Sequence, residues 1–347
     1  MSNKISIYSL SLIDLEKQLI KLNLKKHNAA QIFQWIYQKQ TYAFNKMTNI
    51  AKTSYQILDN NFQFNHLKLV QKNADEKEET IKFLFELHDK ELIETVLMKF
   101  DYGYSICISS QIGCNMGCKF CASGLLKKIR NLSTDELVLQ LVEVQKYLQD
   151  KNNVRISNIV VMGIGEPFDN YDNLKQAINI FNNHYGIAIG SRHITVSTCG
   201  LAPKILEFAK DFAQVNLAIS LHAPNNYLRN QLMPINKKYD LKILMNSIKT
   251  YLSITNRRIS FEYILLEGIN DFNELAEELG KLLKGMLCYV NIIVYNNVNE
   301  TKYRPSNKYL SFINILKKYG IIATKRLERG IKINAACGQL RANHITK

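Results

Sequence analysis

Residues 113–124 read GCNMGCKFCASG, which sets Cys114, Cys118 and Cys121 in a C-x3-C-x2-C run. Metal sites closed by protein alone commonly use four ligands, in structural zinc sites and iron–sulfur clusters alike. A run that stops at three leaves one coordination position open to something else. What fills it depends on where the chain places this loop.

The loop follows a strand-like segment, YSICIS (104–109). Further strand candidates are ISNIVVMG (156–163), HITVSTC (193–199), VNLAISLH (215–222), RISFEYILL (258–266) and YVNIIVY (289–295). They alternate with helix-length amphipathic segments at 134–149, 172–184, 203–212, 240–253 and 272–285, and a sixth spans 306–319. Six strands interleaved with helices predict an α/β fold with a parallel sheet of right-handed βα units. Periodicity does not separate an open doubly wound sheet from a partial barrel. In either, chemistry belongs at the carboxyl ends of the strands. The informative residues fall there: the cysteine loop, GIGEP (163–167), STCG (197–200), SLHAP (220–224) and YNN (295–297).

Upstream, residues 10–43 hold two helix-like segments. In the second, HNAAQIFQWIYQKQ, apolar Ala30, Ile32, Phe33, Ile36 and Tyr37 recur at helical spacing. Lys17, Lys21, Lys25 and Lys26 cluster beside them, as either a solvated helix face or a phosphate-holding surface. A polar stretch, QKNADEKEET, precedes the strand-like runs TIKFLFELHD and ELIETVLMKF, which predict a hairpin turning at Asp89-Lys90. The expected division is a helical unit over 1–65, a hairpin-like linker over 66–103 and a core over 104–347.

Three thiolates on a loop after a strand can hold three irons of a 4Fe–4S cube and leave the fourth open. S-adenosylmethionine can fill that position through its amino and carboxylate groups, and radical chemistry then belongs to the cofactor. A zinc site completed by Cys107 or a histidine is the alternative. GIGEP lacks the third spaced glycine of a dinucleotide fingerprint. Next to the cluster strand, Glu166 is placed to grip the cofactor's ammonium group. Ser197, Ser220–His222 and Asn296 are candidate partners for its carboxylate, ribose and adenine.

The formal net charge is +15, which suits an anionic partner such as nucleic acid, although a Lys-, Asn- and Ile-rich composition also follows from coding bias. No apolar run reaches the roughly 18–20 residues of a membrane span, and MSNKISIYSL lacks a secretory h-region, so a cytoplasmic location is expected. Seven cysteines in such a setting are more often ligands, reactive thiols or buried fillers than structural disulfides. Cys199 and Cys288, both in strand-like runs, are expected to be buried fillers.

Taken in order, IETV (93–96), CISSQIGCNMGCKFCASG (107–124), GIGEP, HITVSTCG, ISLHAP and ACGQL (336–340) resemble the RlmN/Cfr family of radical-SAM RNA methyltransferases. The helical QIFQWIYQK resembles that family's N-terminal accessory domain, and the likeness runs from about residue 15 to 341. It favours the RlmN branch, which methylates C2 of an adenosine in 23S rRNA and, in some bacteria, an adenosine of the tRNA anticodon loop. Cys199 stands where a serine is common, and Val294 where a proline often precedes the Asn296 region.

The resemblance implies a partial (β/α)6 barrel and one 4Fe–4S cluster held by Cys114, Cys118 and Cys121. It implies S-adenosylmethionine contacts from Gly165, Glu166, Ser197, Ser220, Leu221, His222 and Asn296. It also implies an electron donor such as flavodoxin or ferredoxin, while a monomer is the simpler expectation for the assembly. Cys337 becomes the thiol that carries the methyl group, Glu94 the acceptor of the C2 proton, and Cys107 the thiol that attacks Cys337, forming a transient disulfide and freeing the product. Two alternatives stand beside this: methylation at adenine C8, as in Cfr, and a metal-stabilised RNA-binding protein without catalysis.

Overall fold

The computed structural model describes residues 4–77, 79–152, 154–298, 301–327, 329–335 and Gln339. At the N-terminus β1 (Ile5–Ser6) pairs in parallel with β2 (Phe62–Gln63), enclosing α1 (Leu12–Lys21), α2 (Asn28–Phe33) and α3 (Lys52–Asn61). Ser11 starts α1 by accepting the Asp14 N–H on its hydroxyl at 3.2 Å, which satisfies one of the helix's orphan donors. The apolar stripe Leu15 and Leu19 then packs with Ala29, Ile32, Phe33 and Ile36, all buried. Gln38 and Gln176 stitch this unit to the rest, donating to the His184 carbonyl and to Asp14 respectively.

β3 (Lys68–Ala74), β4 (Thr80–Glu86) and β5 (Leu92–Phe100) follow as an antiparallel meander, and β5 pairs antiparallel with β6 (Gly103–Cys107). β7 (Gln111–Ile112) and β8 (Arg130–Asn131) form a short antiparallel pair that ties together the two ends of the cysteine loop. From there strands and helices alternate: α4 (Thr134–Asn152), β9 (Ile156–Val161), α5 (Tyr171–Asn182), β10 (Ile194–Thr198), α6 (Ala202–Asp211) and β11 (Asn216–Ser220). α7 (Asn226–Leu232), α8 (Leu241–Thr255), β12 (Ile259–Leu265), α9 (Asn273–Leu283), β13 (Cys288–Val294), α10 (Tyr309–Lys318) and β14 (Ile322–Lys325) complete the series.

Among the described residues one ten-stranded sheet runs in the order β14-β13-β12-β11-β10-β9-β6-β5-β4-β3. The seven strands from β6 to β14 are parallel, a partial barrel whose open flank is extended by the meander. β12 is buried along its whole length, as a central parallel strand covered on both faces should be.

Two features depart from the sequence pattern. A seventh parallel strand, β14, pairs with β13 where six strands were expected. It is four residues long, ends in a lysine and lies at the sheet edge, so it carries little of the apolar signal that marks a buried strand. The 66–103 segment has three strands, because β3 (KLVQKNA) is also an edge strand and its polar residues read as a loop. No helix among the described residues is long and apolar enough to cross a membrane.

Candidate active site

The cysteine loop is shaped by its own backbone before any metal is considered. Cys114 N–H donates to the Leu126 carbonyl at 3.0 Å, Cys121 N–H to Cys118 at 3.2 Å, and Gly124 N–H to Cys121 at 3.0 Å. Lys119 N–H reaches across to the Leu232 carbonyl at 3.0 Å, so α7 props the loop from outside. The three cysteines line one cavity of about 140 Å³ with Gly165, Glu166, Ser197, Thr198, Cys199, Ser220, His222 and Glu262. This cavity sits at the carboxyl ends of β9 to β12, where the fold directs its polar strand ends.

Burial pushes the Cys114 thiol up to about 12 and Cys118 well above its usual value, so protein alone would keep both protonated. A bound iron reverses that preference, because a coordinating thiol is deprotonated outright. No three His, Cys, Asp or Glu side chains among the described residues converge closely enough to hold a single metal ion. Three thiols on one loop, all facing one polar cavity, are a donor set that fits a cluster with one position left to an outside ligand.

Glu166 is buried, and its two carboxylate oxygens accept the Cys199 N–H at 2.7 Å and the Phe168 N–H at 3.0 Å. Burial raises its pKa, and hydrogen bonds from the Cys199 N–H and thiol, the Thr198 hydroxyl and the Phe168 N–H offset only part of that rise. Gly165 before it has φ +109°, and a Cβ there would stand 2.7 Å from the Gln111 side chain, so glycine is required for this turn.

His222 is buried at φ +59°, with its Nδ1 accepting the Ile264 N–H at 3.1 Å and its ring edge-on to Phe120 of the cysteine loop. Burial, with a smaller push from Arg229, lowers its pKa to about 3, so the imidazole is neutral with its proton on Nε2. Leu221 sends its side chain into the main core instead of the cavity, and its backbone is engaged as well: its N–H donates to the Glu262 carbonyl, and its carbonyl accepts from Arg229 and the Ala223 N–H.

Asn296 falls elsewhere. It lines a neighbouring cavity of about 240 Å³ with Val96, Met98, Phe100, Ser105, Cys107 and Ala335. Met162, Ile293 and Arg326 line both cavities and form the wall between them. Cys107 thus faces one space and the three loop cysteines the other.

Cys337 lies outside the described residues. On one side of it in sequence, Ala335 packs with Val96 and Ile164, and Cys107 and Ile333 border that cluster. On the other side, Gln339 donates to the Asn297 carbonyl at 3.3 Å. Glu94 is buried on the same face of β5 as Val96 and Met98, paired with Lys82 at 2.8 Å.

Sequence reading missed several members of the site. Arg229 is fully buried beneath it, donating to the carbonyls of Cys199 (2.7 Å), Ser220 (3.3 Å) and Leu221 (3.2 Å) and to Asn236 Oδ1 (2.8 Å). Nothing in NYLRNQL marks that arginine except its place beside Leu228 and Leu232 on the buried side of α7. Two basic residues brace the ends of the cysteine loop: Arg130 forks onto Glu136 at 2.7 and 2.8 Å and binds Asp89, and Lys128 pairs with Asp169 at 2.6 Å. Cys199 and Cys288 are both buried, but Cys199 is more than a filler: it lines the cavity of the three loop cysteines, and its thiol hydrogen-bonds Glu166.

A partial parallel barrel with three cysteines on the loop after its first strand, facing a polar cavity at the strand ends, defines a radical-SAM enzyme. The family model for the Radical SAM superfamily matches residues 108–279, and that for the ribosomal RNA large subunit methyltransferase N-terminal domain matches residues 5–63. Two probable dual-specificity RNA methyltransferases RlmN are similar along their whole lengths. That of Malacoplasma penetrans is 50% identical, covering 98% of this chain and 97% of its own. That of Spiroplasma citri is 52% identical, covering 98% of each. The crystal structure of a radical SAM methyltransferase from Sphaerobacter thermophilus superposes with a TM-score of 0.92 at 40% identity, covering 98% of this chain and 100% of that one. The chain belongs to the RlmN family of radical-SAM RNA methyltransferases, whose cofactors are a 4Fe–4S cluster and S-adenosylmethionine.

Proposed function

We propose that this protein methylates C2 of an adenosine in 23S rRNA, and of an adenosine in the tRNA anticodon loop, in the cytoplasm and as a monomer. The observation that carries the reading is the pair of adjoining cavities, one lined by Cys114, Cys118 and Cys121 and the other by Cys107, with Met162, Ile293 and Arg326 between them. Adenine C2 offers no lone pair to an electrophilic methyl group, so direct displacement on S-adenosylmethionine is poorly suited to it. Two separated sulfur sites answer that difficulty.

Cys114, Cys118 and Cys121 would hold the cluster, with Gly165, Glu166, Ser197, Ser220, Leu221 and His222 around S-adenosylmethionine and Asn296 of the adjoining cavity as a further contact. When bound together, and given one electron from a flavodoxin- or ferredoxin-like donor, these groups supply a 5′-deoxyadenosyl radical. Cys337 carries the methyl group as a thioether, which requires a deprotonated, accessible thiol beforehand. Glu94 takes the C2 proton as the ring regains aromaticity. Cys107, as a thiolate, then attacks the Cys337 sulfur: the disulfide forms as the sulfur–methylene bond breaks, and the methylene carbon takes that electron pair and a proton to become the methyl group of the released base.

The target base must leave its stack to enter a cavity lined by the barrel, so an unpaired or extruded adenosine is the substrate. Residues 1–65, rich in lysine, hold flanking phosphates, residues 66–103 carry Glu94, and residues 104–347 form the catalytic core. Reconstituted protein incubated with S-adenosylmethionine, reductant and protein-free rRNA should yield 2-methyladenosine by nucleoside mass spectrometry. Formation of 8-methyladenosine instead would move the protein to the Cfr-like reaction. Bound zinc without sulfide, and no methylated base, would leave only an RNA-binding protein.

A further inference from the structure

The proposed base does not stand alone in its pocket. Lys82 and Glu94 lie diagonally across the β4–β5 pair, where Lys82 is registered with Val96 and Leu84 with Glu94. Lys82 Nζ is 2.8 Å from Glu94 Oε1, and the two side chains are only 12% and 5% exposed. The same ammonium donates to the Asn334 backbone carbonyl at 3.1 Å. Asn334 takes φ +51°, in a turn where Ile333 and Ala335 N–H groups both return to the Gly330 carbonyl. That turn leads, three residues on, to Cys337.

A lysine on a strand face is normally solvated, and surface ion pairs contribute little. Here the stem is enclosed and its head group satisfies two partners from different parts of the chain. Neighbouring cations are committed elsewhere: Arg329 pairs with Glu79 and Lys332 with Glu76.

Resting on the reading of Glu94 as base, we infer that Lys82 is a positioning residue for the methyl transfer, one that fixes the Glu94 carboxylate and the Asn334 turn in a single frame. The proton on C2 passes to a Glu94 oxygen while its bonding pair returns to the ring, and the odd electron left by radical addition would return to the cluster that supplied it. Lys82 neither gains nor loses a proton or an electron in that step. It sets where the acceptor oxygen sits relative to the base joined to Cys337. A guanidinium can make the same two hydrogen bonds, whereas a thioether of similar length can make neither.

The test uses the full-length, cluster-loaded protein and compares the parent with Lys82→Met, Lys82→Arg and Glu94→Gln. Iron and sulfide content and the melting temperature report folding. For Lys82→Met, kcat for RNA methylation should fall at least about tenfold at nearly unchanged KM for RNA, as expected when a reacting group is displaced while substrate binding stays intact. A covalent protein–RNA adduct should accumulate on denaturing gels although Cys107 is intact, and Lys82→Arg should recover most of kcat and clear the adduct.

Parental kcat in Lys82→Met overturns the inference. So does a loss in which no adduct appears and arginine restores nothing, because that is the pattern of a merely structural lysine. Glu94→Gln separates the two ideas. If it turns over normally, the base assignment itself is wrong. If it stalls with adduct while Lys82→Met is normal, the base stands and the role of Lys82 falls.

Discussion

Glu166 accepts the backbone N–H of Cys199 at 2.7 Å, and this bond ties the turn after β9 to the end of β10. Its other oxygen is held by Phe168 N–H, so a buried carboxylate is fixed in orientation at the edge of the cysteine-lined cavity. The Cys199 thiol and Thr198 hydroxyl also hydrogen-bond this carboxylate, whose charge faces the cavity where a cationic ligand would sit. The strand ends are thereby aligned before any cofactor arrives.

Glu166→Gln should therefore weaken S-adenosylmethionine binding more than its near-identical shape implies. The amide must turn its NH2 toward one of two N–H donors, leaving that donor unpaired at a cost of about 1–3 kcal/mol. The loss of charge removes the stronger form of hydrogen bond to an ammonium group. Equilibrium dialysis of cofactor against the cluster-loaded variant should show at least about tenfold weaker binding, and parental affinity would remove Glu166 from the cofactor site.

Arg229 predicts a different failure. Its pKa is lowered to about 10 by burial, so it remains a cation at neutral pH, held by three strand-end carbonyls and Asn236. Replacing it with Met strands those acceptors in a dry site. A stability loss of about 3 kcal/mol or more is expected, since hydrogen bonds to charged groups are each worth roughly 1.5–3. Denaturant titration of Arg229→Met should show it, together with poorer cluster retention. A loss confined to surface-mutation size would mean the carbonyls find other donors.

The cysteine spacing and the order of strand-end motifs made the loop, the parallel sheet and most of the cavity legible in sequence. Such signals are local: a run of thiols or an apolar strand announces itself within a few residues. Arg229 and Lys82 were invisible for the opposite reason. Each is a basic residue whose partners lie on other elements: Asn334 is 252 positions from Lys82, and Arg229 on α7 meets the ends of β10 and β11. Charge on a helix or a strand edge reads as solvated until the fold shows what covers it. β14 escaped because an edge strand needs fewer apolar residues than a central one. Leu221 shows the converse, a motif residue whose side chain belongs to the core.

His222 should stay neutral throughout the physiological range. Burial lowers its pKa to about 3, far below the ordinary 6.5, because a charged imidazole there would lose hydration and face Arg229. The unfolded chain binds a proton near pH 6.5 and the folded chain does not. The stability this group confers is thus complete above pH 6.5 and declines as pH falls toward 3. Imidazole carbon shifts of His222, followed by NMR from pH 8 to pH 5, should remain flat. A midpoint inside that range would show water or an anion reaching the ring.

The two remaining cysteines should fail in opposite ways, and that opposition tests the division of the site into two cavities. Cys107 borders the cluster formed by Val96, Ile164 and Ala335, away from the cysteine loop. If its task is to release product, Cys107→Ala leaves the earlier steps intact and RNA becomes covalently attached to protein. If Cys337 carries the methyl group, Cys337→Ala never forms that link, and methylation falls to background with RNA unmodified. Denaturing gels of single-turnover reactions separate these results, and the double variant should behave as Cys337→Ala because attachment precedes release. Neither change touches Cys114, Cys118 or Cys121, so iron and sulfide content should match the parent in all three. Normal turnover by Cys107→Ala without adduct would eliminate the disulfide step, and loss of iron would instead make Cys107 a cluster ligand.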